Sequence, residues 1–262
     1  MKHGLFLPPV DDLADASVLA DVAGEAESAG WDGVFLWDHI LRPEPRPIAD
    51  PWVAMGAMAH VTERVLLGPM VTPLTRRRPQ KLARETVTVD RMSGGRLVLG
   101  LGLGVDTGRE LSGFGEVVDA RTRGAMLDEG IALLQQMWRG ETVRHSGDHY
   151  VADDVMLLPP ATNGRIPIWL AARTANRAPL RRAAANDGLF AIETADEKLA
   201  EMLAVIAELR GGLDGFEVAV YAPPGRSLAA DEATGVTWWM TDIQPGITVP
   251  DAVALARSGP QT

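Results

Sequence analysis

Short apolar runs alternate along most of the chain with segments whose apolar positions recur roughly every three to four residues. Residues 3–7 form one such run, and in residues 15–29 the side chains of Val18, Val22 and Ala26 fall on one helical face. Gly30 follows, and glycine adopts the left-handed turn that ends a helix at little cost. The pattern therefore predicts a strand followed by a helix.

The same pair recurs, so that eight strands are predicted, each followed by a helix. The strands cover residues 3–7, 33–37, 65–71, 96–101, 166–171, 188–192, 216–221 and 236–240. The helices cover residues 15–29, 51–60, 79–92, 123–138, 175–185, 196–210, 228–234 and 250–256. Continuous apolar strands separated by helices are typical of a parallel sheet covered on both faces, and eight units favour an α/β fold of the (β/α)8 TIM-barrel type. An open doubly wound sheet is the alternative architecture.

The fourth and fifth predicted strands begin about 70 residues apart, which is a longer interval than any other. This interval holds a Gly-rich loop, the helix at residues 123–138 and a predicted β-hairpin with strands at residues 142–144 and 150–158. We expect residues 1–262 to form a single TIM-barrel domain with an insertion at about residues 104–165, after strand four.

Composition narrows the function classes. The formal net charge of −10 disfavours binding to nucleic acid, because an acidic chain repels phosphate backbones. The chain has no cysteine, which excludes disulfides and cysteine-ligated metals, and its histidines lack metal-ligand spacing, so no metal site is expected. No apolar run approaches the roughly 20 residues of a membrane span, and no signal peptide is recognisable, so a cytoplasmic location is expected.

The carboxyl end of the second predicted strand carries the first candidate site residues. In a (β/α)8 barrel the active site forms at the carboxyl ends of the strands. Trp37, Asp38 and His39 follow strand two, and histidine exchanges protons near neutral pH. The alternative is that Asp38 caps a loop and His39 packs beneath it.

Strand three ends in a segment with Gly68 and two prolines, which favours an irregular backbone such as a bulge. Three consecutive arginines follow the segment, at positions 76, 77 and 78. We expect two of these arginines to be solvated, while one reaches an anionic ligand.

Two further strand ends suggest ligand contacts. Glycines at positions 100, 102 and 104 alternate at the end of strand four, and their missing side chains predict that a flat ligand approaches the backbone near Gly102 and Leu103. Ala172, Arg173 and Thr174 follow strand five, where a helix begins, and helix N-termini bind anions such as phosphate. The alternative for Thr174 is simple helix capping.

The chain resembles the bacterial luciferase-like family of flavin-dependent and deazaflavin-dependent oxidoreductases. The matching segments are HGLFLP, AESAGWDGVFLWDHI, VLLGPMVTPLTRRRPQKLARETVTVDRMSGGRLVLGLGLG, GFGE with LDEGIALLQQMWRGETV and GDHY, and PIWLAARTANRAPLRRAAANDGLF. These segments cover most of residues 3–190, and the match beyond them is looser, through GVTWWMTDI. The family fold is a (β/α)8 barrel with an insertion region near strand four.

The resemblance implies roles for the candidate residues. It places the family's Asp-His pair on Asp38 and His39 as catalytic residues, and a bulge with a non-proline cis peptide, which supports the cofactor ring, at Met70 and Val71. It places the cofactor's phosphate on residues 172–174.

Two departures from the family pattern bear on the reaction. The catalytic glutamate of the sugar-phosphate-oxidising members is replaced by Val105, which argues against that reaction. The ring-facing tryptophan of those members falls in the proline-rich loop, and Trp52 lies far along the chain from that place.

The resemblance implies redox chemistry on a small organic substrate. The first expectation is a monooxygenase that uses molecular oxygen and reduced FMN supplied by a flavin reductase, in a dry apolar cavity. The alternatives are hydride transfer with a deazaflavin coenzyme and a non-catalytic flavin-binding protein, while a barrel isomerase or aldolase is less favoured. A homodimer is compatible with the family.

Overall fold

The computed structural model describes residues 1–223 and 235–260, which form eleven strands and seven α-helices. The strands are β1 Lys2–Leu7, β2 Gly33–Leu36, β3 Leu66–Pro69, β4 Thr72–Pro73, β5 Leu99–Gly102, β6 Thr142–Ser146, β7 Val151–Met156, β8 Ile168–Ala172, β9 Gly188–Ala191, β10 Glu217–Ala222 and β11 Trp238–Asp242. The helices are α1 Ala16–Ser28, α2 Pro51–Val61, α3 Pro79–Met92, α4 Ala120–Met137, α5 Arg177–Ala184, α6 Asp196–Arg210 and α7 Val249–Arg257. The short helix predicted at residues 228–234 lies outside the described residues.

Nine of these strands form one parallel sheet, in the order β3-β2-β1-β11-β10-β9-β8-β5-β4. β3 lies within the strand predicted at residues 65–71 and β4 follows just after it, so the two together occupy one of eight strand positions around the sheet. Leu67 accepts the Val98 N–H at 2.9 Å and donates to the Arg96 carbonyl at 3.0 Å, which joins β3 to the residues just before β5. The ring of strands is therefore completed, as a (β/α)8 barrel requires and an open sheet does not.

The helix termini show why the predicted boundaries hold. The carboxylate of Asp15 accepts the Ser17 N–H at 2.7 Å and caps α1, and Gly30 follows this helix with a φ of +90°. α3 begins at Pro79, where proline lacks only an N–H that a helix leaves unpaired. α3 and α6 coincide with the predicted helices at residues 79–92 and 196–210.

The long interval between β5 and β8 contains a loop at residues 103–119, then α4, then the antiparallel pair β6 and β7. α4 packs against α3, and Arg182 of α5 donates to Asp128 of α4 at 2.6 Å. α4 therefore belongs to the ring of helices around the barrel. The loop and the hairpin are the parts of this interval that lie outside the strand–helix alternation.

Aromatic rings fill the amino-terminal half of the barrel. Phe35, Trp169 and Trp238 lie with their ring centroids 5.5–5.9 Å apart. A Cβ on Gly33 would come within 2.7 Å of the Phe35 ring, and a Cβ on Gly188 within 2.6 Å of the Trp169 ring, so glycine makes room for both. The free volume is left at the carboxyl ends of the strands.

Within the described ranges, no helix has the length and apolar character needed to cross a membrane.

Candidate active site

A cavity of about 840 Å³ opens at the carboxyl ends of the strands. This volume lies within the range of roughly 300–1,000 Å³ that is usual for small-molecule and cofactor sites. All of the predicted site residues except Thr174 line the cavity, namely Asp38, His39, Met70, Val71, Gly102, Leu103, Ala172 and Arg173. The structure therefore brings together residues from four different strand ends.

The irregular backbone expected after strand three is present. The peptide bond between Met70 and Val71 is cis and separates β3 from β4, as the family resemblance implied. A Cβ on Gly100 would lie 2.2 Å from the Pro69 carbonyl oxygen, and one on Gly102 would lie 2.8 Å from a Val71 methyl. Gly100 and Gly102 therefore make room for the chain's own β3–β4 segment, and contact of Gly102 and Leu103 with a flat ligand stays a prediction.

His39 is held by a glutamate that the sequence did not point to. The Glu110 side chain is 3% exposed, and its Oε2 lies 3.0 Å from His39 Nδ1. Its Oε1 accepts the backbone N–H groups of Ile40 and Leu41 at 2.6 and 3.1 Å. Burial raises the pKa of Glu110, but the hydrogen bond and charge of His39 together with these backbone donors outweigh it and leave the pKa below its usual value.

This contact sets the tautomer of His39. An ionised Glu110 only accepts hydrogen bonds, so the proton of a neutral imidazole resides on Nδ1. Nε2 is then the nitrogen available to accept a proton, and the His39 side chain is 27% exposed to the cavity. The arrangement matches a general base oriented by a carboxylate.

Asp38 has a different environment from His39, although the two residues are adjacent. Its buried carboxylate accepts from Thr72 Oγ1 at 2.6 Å, from Arg76 Nη2 at 2.7 Å and from Arg77 Nη2 at 2.9 Å. Burial raises the pKa of Asp38, but Arg77 and Arg76 outweigh it and hold the pKa below its usual value. Because its oxygens are occupied by the protein, Asp38 is placed to position the strand end rather than to contact a ligand.

These contacts also correct the expectation for the arginine run. Arg76 and Arg77 were both candidates for solvated side chains, but they are 4% and 15% exposed and neutralise Asp38. Arg78 alone of the three is exposed. Two positive charges are buried here because they surround a buried negative charge, and an isolated buried carboxylate would be strongly unfavourable.

The amino end of α5 forms another part of the rim of the cavity. Arg173, Asn176 and Arg182 line it, and Asn176 makes no side-chain capping bond to any described residue. Thr174 lies outside the lining, and its hydroxyl accepts the Asn176 N–H at 3.4 Å, as in the capping alternative. The exposed Arg173 forms an ion pair with Glu193. Helix N–H groups are therefore available to an anion at this rim, whereas the guanidinium groups of Arg173 and Arg182 are paired with Glu193 and Asp128.

Another wall of the cavity is formed by aromatic side chains, which come from β1, β9, β10 and the end of β2. The centroid of the Phe6 ring lies 5.5–5.9 Å from those of Tyr221, Phe190 and Trp37. Trp37 also meets the His39 ring edge-on at 6.1 Å. Trp52, by contrast, packs in the core between the helices and the sheet, so it does not supply a ring to the cavity.

The last strand ends in a buried acid at the same cavity. Asp242 is 6% exposed, and its Oδ2 accepts from the Gln244 side-chain amide. Burial raises the pKa of Asp242 to about 6, and the Gln244 hydrogen bond opposes the rise. Burial also raises the pKa of Tyr221, with added contributions from Glu193 and Asp242. Buried titratable groups in a cleft are typical of functional sites.

Sequence reasoning missed Glu110, Asp242 and Tyr221. Asp242 and Tyr221 had a usable signal, since both lie at or near strand ends, where the barrel rule places the site. Glu110 had no such signal, because it lies in the polar loop between β5 and α4. Among the residues that the structure describes, no group of three or more His, Asp or Glu side chains is arranged to hold a metal ion.

The family described as luciferase-like monooxygenase has a sequence model that matches residues 1–242. The chain belongs to this family. The match extends over most of the barrel and includes every predicted site residue.

Curated relatives of this luciferase-like protein include F420-dependent glucose-6-phosphate dehydrogenases. The one from Nakamurella multipartita is 35% identical over 162 residues, which are 60% of this chain and 46% of the relative. The one from Beutenbergia cavernae is 38% identical over 153 residues, which are 56% of this chain and 44% of the relative. The matched region thus spans less than half the length of these relatives.

Solved structures share the fold. An F420-dependent secondary alcohol dehydrogenase in complex with an F420–acetone adduct has a TM-score of 0.81 at 17% identity, with 98% of this chain and 97% of that chain covered. The oxygenating constituent of 3,6-diketocamphane monooxygenase from Pseudomonas putida, in complex with FMN, has a TM-score of 0.72 at 20% identity, with 85% and 67% covered. At these identities the likeness shows the fold alone.

Proposed function

We propose that this luciferase-like protein is an oxidoreductase that transfers hydride between a small organic substrate and the deazaflavin coenzyme F420. The proposal is carried by the relatives at 35% and 38% identity, which are both F420-dependent dehydrogenases. Deazaflavin was the alternative from the sequence, and reduced FMN with oxygen was the first expectation. The FMN route has less support, because the FMN-bound neighbour is 20% identical and shares only the fold.

The residues of the cavity fit such a coenzyme. Met70, Val71 and Leu103 provide an apolar surface for a flat ring. The amino end of α5 provides backbone N–H donors for the phosphate of the coenzyme tail, and Arg173, whose partner Glu193 is also exposed, lies beside it. When bound, the deazaflavin ring supplies a carbon that accepts hydride.

His39 is the group that moves the proton. Oxidation of an alcohol releases one proton together with the hydride, and His39 Nε2 accepts it while Glu110 stabilises the resulting imidazolium. Glu110 is fixed by the N–H groups of residues 40 and 41, so the imidazole is oriented before substrate binds. Val105 supports a substrate other than a sugar phosphate, because it stands where the resemblance places the catalytic glutamate of those members.

Cofactor titration tests the proposal directly. The purified protein is titrated with coenzyme F420 and separately with FMN, and binding is followed by the ring absorbance. We expect F420 to bind at least about tenfold more tightly than FMN, a difference of about 1.4 kcal/mol. Tighter binding of reduced FMN, with oxygen uptake on addition of substrate, would instead support the monooxygenase route. Binding of neither ring would contradict both.

Substitution of His39 tests the mechanism. His39→Ala lowers turnover at least about tenfold while F420 affinity stays within severalfold, because the lost group moves a proton and does not anchor the ring. Glu110→Gln keeps an acceptor for the backbone donors but loses the charge that stabilises the imidazolium, so turnover is expected to fall while F420 affinity stays within severalfold. Unchanged turnover in His39→Ala would remove His39 from the mechanism.

A further inference from the structure

Asp242 lines the cavity, and one of its two carboxylate oxygens is unpaired. The residue is 94% buried, and Oδ2 is occupied by the Gln244 amide. Oδ1 is buried and has no hydrogen-bond partner within residues 1–223 and 235–260. Buried polar atoms are almost always paired, so an unpaired oxygen on a residue that lines a cavity calls for a donor that the described residues do not supply.

No cation of the described residues balances this carboxylate. Its pKa lies at about 6 through burial, with the Gln244 amide as the other influence, and neither is a positive charge. Tyr221 is the titratable group that Asp242 acts on, and Arg173, which also acts on Tyr221, forms an ion pair with Glu193. A carboxylate that ionises here therefore lacks a counter-charge.

The wall around Asp242 presents aromatic rings. Phe6 is the backbone register partner of Asp242 on the neighbouring strand. The Phe6 ring lies 5.5 Å from that of Tyr221, and Tyr221 and Phe190 stack at 5.5 Å. Ring faces carry partial negative charge and attract cations, most strongly in a desolvated site. The carboxylate and the rings thus favour the same ligand charge.

We propose that Asp242, with the rings of Phe6 and Tyr221, binds a protonated amine of the substrate. The assignment of this ligand as substrate rests on the proposed oxidoreductase function. A hydroxyl group would satisfy the hydrogen bond of Oδ1 but would leave the buried negative charge uncompensated, whereas an ammonium group satisfies both.

The amine is a recognition group and does not react. β1 lies between β2, which is followed by His39, and β11, which ends at Asp242. β2 and β11 are thus two strand spacings, or roughly 10 Å, apart, and His39 lies three residues beyond the end of β2. A substrate that reaches both His39 and Asp242 therefore carries its amine several bonds away from the carbon oxidised beside His39.

Three probes of nearly the same shape test the charge preference. Benzylamine, benzyl alcohol and benzoate are titrated calorimetrically into the protein at about pH 7.5, where benzylamine is a cation and Asp242 is mostly ionised. We expect benzylamine to bind at least about tenfold more tightly than benzyl alcohol, and benzoate to be the weakest. Equal affinity for the amine and the alcohol overturns the proposal without any variant.

Substitutions locate the effect. Asp242→Asn keeps an acceptor for Gln244 and is expected to reduce benzylamine affinity to that of benzyl alcohol. Tyr221→Leu removes a ring face and is expected to weaken the binding of benzylamine severalfold more than the binding of benzyl alcohol. Asp153→Asn, at an exposed acid of β7, is the matched control and leaves all three affinities unchanged.

The outcomes separate this proposal from the proposed function. Unaltered benzylamine binding in Asp242→Asn refutes the amine site, even if F420 binds tightly. Amine binding that depends on Asp242 supports the site even if F420 does not bind, and the oxidoreductase proposal then fails by its own titration.

Discussion

Replacing Asp242 with asparagine is expected to stabilise the protein near neutral pH but not at acidic pH. Burial raises the pKa of Asp242 from 3.8 to about 6, because the folded state disfavours its negative charge. Asparagine has nearly the same shape, keeps an oxygen for the Gln244 amide and never ionises. The variant therefore removes the cost of the buried charge with little change in packing.

The sign and size follow from proton linkage. Between pH 3.8 and about 6 the unfolded chain has lost the Asp242 proton while the folded protein still holds it, so the wild-type protein loses stability as pH rises. Each pH unit in this window lowers the free energy of unfolding of the wild type by about 1.4 kcal/mol. The stability advantage of Asp242→Asn is thus near zero below the window and reaches on the order of 3 kcal/mol above it.

Urea unfolding measures this difference. Unfolding curves of the wild type and Asp242→Asn are recorded at about pH 4, 5, 6, 7 and 8, and free energies are compared at a common slope. Asp153→Asn, which changes an exposed acid on β7, serves as the control and is expected to follow the wild type throughout.

Two results would refute the reasoning. If the free energies of unfolding of Asp242→Asn and the wild type differ by the same amount at every pH, the Asp242 carboxyl titrates alike in the folded and unfolded states. A variant that is less stable than the wild type at pH 8 shows that the ionised carboxylate is stabilised by a partner.

Three further predictions concern the surrounding architecture. Arg77→Met leaves the buried Asp38 carboxylate with only part of its counter-charge, and denaturant unfolding is expected to show a loss of roughly 3 kcal/mol. Gly102→Ala places a methyl group 2.8 Å from a Val71 methyl, so a loss of about 1–3 kcal/mol and weaker ring binding are expected in melting and titration experiments. Arg173→Ala is expected to weaken the binding of coenzyme F420 by roughly threefold to tenfold. The binding of the same deazaflavin without its phosphate tail is expected to be unchanged. Equal changes in the two affinities would place the phosphate elsewhere.

Periodicity predicted most of the elements within a few residues. α3 and α6 match their predicted ranges, and β1 begins one residue earlier than expected. The prediction succeeded because each element carries its own apolar pattern and its own terminus, such as the Asp15 cap of α1. The third strand differs in its extent, because the apolar run predicts one strand at residues 65–71, whereas β3 ends at Pro69 and β4 begins at Thr72, on either side of the cis peptide.

The candidate site was predicted only in part. His39 was found by the rule that places barrel active sites at strand ends, and Met70 and Val71 were implied by the family resemblance. Arg77 was expected in solvent, because nothing near it in sequence shows that it neutralises Asp38, which lies 39 residues earlier.

The sequence by itself determined the barrel, the order of its strands and helices, and the strand ends at which chemistry is found. These properties depend on neighbouring residues, whose apolar spacing is readable along the chain. The tertiary structure alone decided the partners of the polar groups. Glu110 orients His39 across 71 residues, and Asp242 is left buried beside the rings of β1 and β10. Closure of the barrel creates these contacts and removes the water that would otherwise weaken them.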